Sequence, residues 1–60
     1  MKLEDLNKHV SAQVGPALVE QWWDAPNKRW NGFSPRAIYE RDPAGKTEVE
    51  EYILDYAYGR

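Results

Sequence analysis

Residues 22–35 read WWDAPNKRWNGFSP, and this stretch decides the fold. It holds all three tryptophans of the chain and its one phenylalanine, with Pro-Asn, Asn-Gly and Ser-Pro turn signals between them. Rings of this size are costly to leave in water unless they pack together or meet a partner. We therefore expect residues 22–35, called here the aromatic segment, to organise the core, to form a contact surface, or to do both.

Length and composition restrict how the chain can be stabilised. Its 60 residues allow one small helical domain, residues 1–60, near the lower size limit for independent folding. The chain has no cysteine, which excludes a disulfide and a thiolate-bound metal. An aromatic-rich core or a second copy of the chain must supply the stability, so we expect a homo-oligomer such as a dimer. With no long apolar run and no signal peptide, we also expect a cytoplasmic protein without a membrane partner.

Two helices are predicted before and into the aromatic segment. Apolar residues near the N-terminus recur at spacings of three and four, typical of an amphipathic helix: Leu3, Leu6, Val10 and Val14. Gly15 ends this helix, and Pro16 suits the first turn of a second, short helix that runs to about Trp23. Pro26 closes the second helix, because the residue before a proline is disfavoured in the helical region.

A third helix is predicted to follow the aromatic segment directly. Ser34 has the side chain of an N-cap, and Pro35 suits the first helical position. The helix runs from Pro35 to Arg41, with Ile38 and either Ala37 or Tyr39 facing the core. Residues 42–45, Asp-Pro-Ala-Gly, are predicted to form a turn.

The last helix is predicted from a capping box, Thr47 with Glu50, in which each side chain bonds a backbone N–H of the other. The helix carries an apolar stripe of helical period: Val49, Tyr52, Ile53, Tyr56 and Ala57. Gly59 supplies its end. No segment alternates at period two for long enough to form a strand. The predicted fold is all-α, a small bundle of three to four short helices completed by dimerisation.

The residues with catalytic chemistry do not form a catalytic site in the sequence. His9 has Asp5 and Ser11 nearby, but residues so close on one helix do not converge on a substrate as a triad does. The acidic residues of the last helix, Glu48, Glu50, Glu51 and Asp55, are interpreted as a solvated face rather than a metal site. The first three lie in its predicted first turn, where negative charge interacts favourably with the helix dipole. No glycine-rich phosphate loop is present. We therefore predict no enzyme activity, no cofactor and no metal site.

Two binding functions remain as alternatives. Trp, Tyr and Arg are enriched at interface hot spots. A protein-interaction surface is predicted at the aromatic segment and the C-terminal tail: Arg29, Trp30, Phe33, Arg36, Tyr58 and Arg60. The alternative is a small DNA-associated regulator that binds phosphates with the basic middle of the chain: Lys28, Arg29, Arg36 and Arg41. The net charge of −2 argues against nucleic acid, because basic groups on phosphate dominate affinity for DNA.

A series of turn and core residues in the aromatic segment and beyond resembles a known family. The series is Trp22, Trp23, Pro26, Asn27, Trp30, Gly32, Pro35 and Ile38. It resembles the toxin-binding domain of Xre/MbcA/ParS-type antitoxins, which runs Trp, a bulky apolar residue, Pro-Asn, an apolar residue, Gly, Pro and Leu. The closing turn and the last helix fit the same pattern. The likeness covers residues 22–59, about two-thirds of the chain.

The resemblance implies a small helical domain that binds and neutralises a partner protein. In that family the partner is typically a toxin enzyme that degrades NAD, and the antitoxin's C-terminal segment blocks its active-site entrance. The resemblance would place Tyr58, Gly59 and Arg60 near the contact. The leading hypothesis from the sequence is a protein-interaction module, acting as an antitoxin-like inhibitor or an adaptor.

Overall fold

Four α-helices and two short 3-10 turns make up the fold in the computed structural model, which describes residues 2–59. The helices are α1 (Leu3–Val14), α2 (Val19–Asp24), α3 (Pro35–Arg41) and α4 (Pro43–Tyr58). The 3-10 turns are Pro16–Leu18, before α2, and Lys28–Trp30, inside the aromatic segment. Residues 2–59 contain no strand, so the predicted all-α class is confirmed.

The end of α1 and both ends of α3 follow the local signals in the sequence. The second helix, predicted from Pro16 to about Trp23, begins instead as the 3-10 turn Pro16–Leu18 and is α-helical over Val19–Asp24. Gly15 ends α1 with a φ of 90°, a value that side-chain-bearing residues rarely adopt. The Ser34 hydroxyl accepts a hydrogen bond from the backbone N–H of Ala37 at 3.1 Å, which caps α3 as predicted. The predicted bounds of α3, Pro35 and Arg41, are confirmed.

The last helix begins earlier than predicted. Asp42 is its N-cap, since its Oδ1 accepts a hydrogen bond from the backbone N–H of Gly45 at 2.6 Å, and Pro43 is the first helical residue. Thr47 lies inside the helix, where its hydroxyl donates to the Pro43 carbonyl oxygen at 3.2 Å. The capping box at Thr47 and the turn at residues 42–45 were therefore wrong predictions. Aspartate is a favoured N-cap and proline a favoured first helical residue, so the pair Asp42-Pro43, which comes earlier in the chain than Thr47, starts the helix.

One buried cluster joins all four helices. Its members are apolar side chains with at most 7% of their surface exposed: Leu6, Val10, Trp23, Trp30, Ile38, Val49 and Ile53. Half-buried apolar residues pack around it, namely Val14, Val19, Trp22, Tyr39 and Tyr52. Tyr39, not Ala37, is therefore the second α3 residue that turns toward the core.

The apolar stripe of α4 leaves the core before the helix ends. Val49 and Ile53 are buried and Tyr52 is half-buried, as predicted. Tyr56 is 67% exposed and Ala57 is exposed, so the last two members of the predicted stripe lie outside the core. The helix continues to Tyr58, but the buried cluster extends only as far as Ile53. The final turn of α4 consequently presents its rings to solvent.

Candidate protein-interaction surface

Hydrogen bonds to Asn27 hold the irregular part of the aromatic segment in one shape. Its backbone N–H donates to the Phe33 carbonyl oxygen at 3.1 Å, and its own carbonyl accepts from Trp30 and Gly32 at 3.1 and 3.0 Å. Its side-chain Oδ1 accepts from the backbone N–H of Arg29 at 2.8 Å. The segment from Asn27 to Phe33 is thus closed into a ring of backbone bonds, and we call it the Asn27 loop (residues 27–33).

The Asn-Gly pair supplies the backbone shape that this closure requires. Asn31 has a φ of 55° and Gly32 a φ of 92°, both in the left-handed region. Asparagine tolerates that region better than most residues, and glycine enters it without steric cost. The two residues reverse the chain, so that the Phe33 N–H donates to the Trp30 carbonyl oxygen at 3.0 Å.

Of the two rings of the Asn27 loop, one is buried and the other is exposed. Trp30 is 7% exposed and packs edge-on against Tyr52 of α4, with ring centroids 5.2 Å apart. Its indole Nε1 is buried and has no hydrogen-bond partner in the described chain. Phe33 is 62% exposed. The prediction of Trp30 as a contact residue is therefore corrected, because its ring belongs to the core, whereas Phe33 is available for contact.

An apolar groove of about 240 Å³ begins at Phe33 and follows α3. Its other lining residues are Ala37, Ile38 and Arg41. Ala37 and Arg41 are four residues apart and therefore lie on the same side of α3, and Phe33 lies just before the helix. Ala37 and Ile38 were not predicted as parts of the surface, although the spacing of Ala37 and Arg41 indicates that these two share a face.

Tyr58, a predicted contact residue, is the last residue of α4. Tyr58 is 64% exposed, and its ring meets the His9 ring edge-on with centroids 5.5 Å apart. His9 lies on α1, so this contact joins the end of α4 to α1. Arg60 lies outside the described residues. The exposed tail surface therefore consists of Tyr56 and Tyr58.

Arg36 is held by acidic side chains of α2. Its Nε donates to Asp24 Oδ1 at 2.7 Å and its Nη2 to Glu20 Oε2 at 2.9 Å. The hydrogen bond to Asp24, with the negative charges around it, raises the pKa of Arg36. Both of these ion pairs link α2 to α3, so the guanidinium predicted to contact a partner ties two helices together.

Arg41 is likewise paired, at the junction of α3 and α4. Its Nε donates to Asp42 Oδ2 and its Nη2 to Glu48 Oε2, both at 3.1 Å. These two hydrogen bonds raise the pKa of Arg41. Of the four basic residues in the DNA alternative, only Lys28 and Arg29 keep their side chains out of ion pairs within residues 2–59. The basic patch is therefore smaller than the sequence indicates.

Residues 2–59 hold neither a cluster of metal ligands nor a membrane-spanning helix. Within residues 2–59, no group of three or more His, Cys, Asp or Glu side chains is arranged to hold a metal ion. In the same part of the chain, every helix is too short or too polar to cross a bilayer. No family model, curated protein or solved structure matches the chain.

Proposed function

We propose that this chain is a non-enzymatic, cytoplasmic protein-interaction module that binds and modulates a partner protein. The observation that carries the proposal is Phe33, a large ring that is 62% exposed on a loop closed by hydrogen bonds. Interfaces gain most of their free energy from a few aromatic or arginine anchors that enter pockets on the partner. An anchor that is already fixed loses little conformational entropy on binding.

The surroundings of Phe33 indicate the chemistry of the partner segment. The groove beside the ring is apolar at Ala37 and Ile38. Lys28 and Arg29, exposed on the same loop, have side chains without ion pairs in the described chain. An apolar groove beside free positive charge favours a partner segment that combines acidic and apolar side chains.

The exposed rings of α4 support a second contact. Tyr56 and Tyr58 are 67% and 64% exposed, and tyrosine is one of the residues most enriched at binding hot spots. This tail is the part of the chain for which the antitoxin resemblance implies contact with the partner. On that resemblance, the partner class we propose is a toxin enzyme, and the chain is its inhibitor; a stand-alone adaptor is the other form of the same proposal.

The same exposed apolar residues favour self-association. Leu3 and Leu18 are each 47% exposed, in addition to the rings of Phe33, Tyr56 and Tyr58. A small chain without disulfides gains stability when such surface is covered by a second copy. We propose a dimer in solution, and sedimentation equilibrium over a range of concentrations tests it. A mass equal to that of one chain at every concentration would contradict this part of the proposal.

Affinity capture with matched variants tests the interaction surface. The tagged protein is incubated with lysate from its source, and the wild type is compared with Phe33→Ala and with Leu18→Ala as the control. Both variants remove exposed apolar surface, but only Phe33 lies on the Asn27 loop. We expect one protein recovered in near-equal amount by the wild type and by Leu18→Ala, and not by Phe33→Ala. Capture that is insensitive to Phe33→Ala would refute the proposed surface.

A further inference from the structure

A small cavity lies between α1, α2 and α3, separate from the Phe33 groove. Its volume is about 110 Å³. Sites for drug-sized ligands usually measure roughly 300–1,000 Å³, so this cavity matches one side chain better than a cofactor. Leu3, Trp23 and Tyr39 give it apolar and aromatic walls, and Glu20, Arg36 and Glu40 give it charged ones. None of these residues lines the Phe33 groove.

The aromatic walls of the cavity are fixed in place. The Trp23 indole N–H donates to Asn7 Oδ1 at 2.6 Å, and Asn7 also lines the cavity. The Trp23 and Tyr39 rings meet edge-to-face, with centroids 5.5 Å apart and planes at 80°. Trp23 is only 3% exposed, so the half-buried Tyr39 ring that it holds in place is the aromatic surface available to the alkyl stem of a ligand, and the face of such a ring attracts cations.

One of these rings already lies near a cation of the chain. Lys46 Nζ is 5.8 Å from the centroid of the Tyr39 ring, within the range of a cation–π contact. Lys46 does not line the cavity. Lys46 therefore adds one positive charge beside Tyr39, against the three carboxylates Glu20, Asp24 and Glu40 and the guanidinium of Arg36, so one negative charge remains in excess.

The charges at the cavity are unbalanced toward negative. Arg36 is shared between two carboxylates, Glu20 and Asp24, so this group of three carries a net negative charge. Glu40 adds another carboxylate, near enough to Arg36 to favour its charged form. In the described part of the chain, the Glu40 side chain has no hydrogen bond or ion pair of its own. The edge of the cavity therefore attracts a cation and repels an anion.

We infer that this cavity receives the side chain of a lysine presented by another protein, with the stem against Leu3 and Tyr39 and the ammonium group beside Glu40. A lysine has a compact charge on a flexible four-carbon stem, which suits a narrow apolar entrance with carboxylates at its edge. The inference does not depend on the Phe33 surface, because the two sites have no lining residue in common.

A titration with Nα-acetyl-lysine methylamide, whose only charged group is the side-chain ammonium, tests this site. The probe is added to the ¹⁵N-labelled protein, and the indole N–H signals are followed by NMR. We expect a saturable shift of the Trp23 signal with millimolar affinity and little change at Trp30, which does not line the cavity. N-acetyl-norleucine methylamide, which has the stem without the charge, should not produce a saturable shift.

Two matched variants identify the charge that is responsible. Glu40→Gln should weaken binding of the lysine probe about two- to fivefold, the range expected for a partly exposed ion pair. Glu51→Gln removes the same charge from an exposed position of α4 and should leave affinity unchanged. Equal shifts with the norleucine compound, equal weakening by both variants, or no saturable shift at Trp23 would each overturn the inference. Circular dichroism of both variants confirms that they remain folded.

Discussion

The backbone N–H of Asn27 donates a hydrogen bond to the carbonyl oxygen of Phe33 at 3.1 Å. This bond closes a loop that contains one buried ring, Trp30, and ends at one exposed ring, Phe33. Trp30, inside the closed loop, is buried against Tyr52, and Phe33, at its end, faces solvent. The same hydrogen bonds therefore place a core residue and a candidate contact residue three positions apart.

Replacing Asn27 by alanine should destabilise the loop. The variant removes the Oδ1 acceptor of the Arg29 N–H at 2.8 Å and leaves the backbone bonds in place. Loss of an N-cap side chain costs about 1 kcal/mol, which lowers Tm by about 4–8 °C in a domain of this size. Asn27→Asp keeps an acceptor oxygen and should retain most of the stability. Circular dichroism recorded during heating gives the Tm of each variant. Equal Tm values for Asn27→Ala and Asn27→Asp would contradict a capping role.

The two buried tryptophans should respond differently to loss of their indole N–H groups. Trp23 donates to Asn7, whereas the buried Nε1 of Trp30 has no partner in the described chain. In a double-mutant cycle, Asn7→Ala with Trp23→Phe should show a coupling of about 0.5–1.5 kcal/mol, the net value of a hydrogen bond. The cycle of Asn7→Ala with Trp30→Phe should show a coupling near zero. Urea unfolding gives the four free energies for each cycle, and similar couplings in both would rule out this assignment.

Local signals in the sequence predicted most helix boundaries, and they failed where two start signals competed. Ser34-Pro35 offers a single start, and α3 begins there. Asp42-Pro43 and Thr47-Glu50 are both sound N-terminal signals, and the sequence alone gives no reason to prefer the first. A tertiary contact accompanies the earlier start, since Gly45 in the first turn of α4 packs directly on the Ile38 carbonyl group of α3.

The candidate surface was predictable as a segment but not residue by residue. Composition identified residues 22–35 as rich in rings, yet it gave no reason why Trp30 should be buried and Phe33 exposed. That outcome depends on the left-handed backbone at Asn31, which reverses the chain between the two rings. The sequence did not predict the ion pairs of Arg36 either, because its partner Glu20 lies sixteen positions away along the chain.

The N-cap of α4 should make stability depend on pH in the acid range. The hydrogen bond from the Gly45 N–H, aided by Arg41, holds the pKa of Asp42 below its ordinary value of 3.8. A carboxyl group whose pKa is lowered in the folded state stabilises the fold when the pH is above the group's ordinary pKa. That contribution is lost as the pH falls through the lowered pKa of the folded state. Asp42→Asn keeps a capping oxygen but does not titrate, so its stability should fall less steeply in this range. Glu51→Gln, an exposed change on the same helix, is the control, and denaturant midpoints measured from pH 5 to pH 2 give the comparison.

Removing residues 58–60 should weaken partner binding while most of α4 stays helical. The deletion takes away the exposed Tyr58 ring and its edge contact with His9, but the buried residues Val49 and Ile53 remain. Calorimetry with the captured partner measures the affinity, and circular dichroism measures the helix content. Unchanged affinity would show that the tail lies outside the binding surface.

Gly45→Ala should destabilise the protein, although helix propensity alone predicts the opposite. Alanine is favoured over glycine inside a helix by about 1 kcal/mol. A Cβ at position 45, however, would overlap the carbonyl oxygen of Ile38 and would also crowd Asp42 Oδ1 at 3.2 Å. The Ile38 atoms are backbone atoms that cannot rotate away, so α3 and α4 must separate at their closest approach.

Overpacking of this kind costs about 1–3 kcal/mol, which lowers Tm by about 4–8 °C for each kcal/mol. Ala44→Gly is the matched control. Ala44 is exposed, so this variant should lose no more stability than the difference in helix propensity between alanine and glycine, about 1 kcal/mol. The structure therefore predicts that adding a methyl group at position 45 costs more stability than removing one at position 44. A Gly45→Ala protein more stable than the wild type would mean that α4 does not begin against Ile38, and the start of the helix at Pro43 would have to be abandoned.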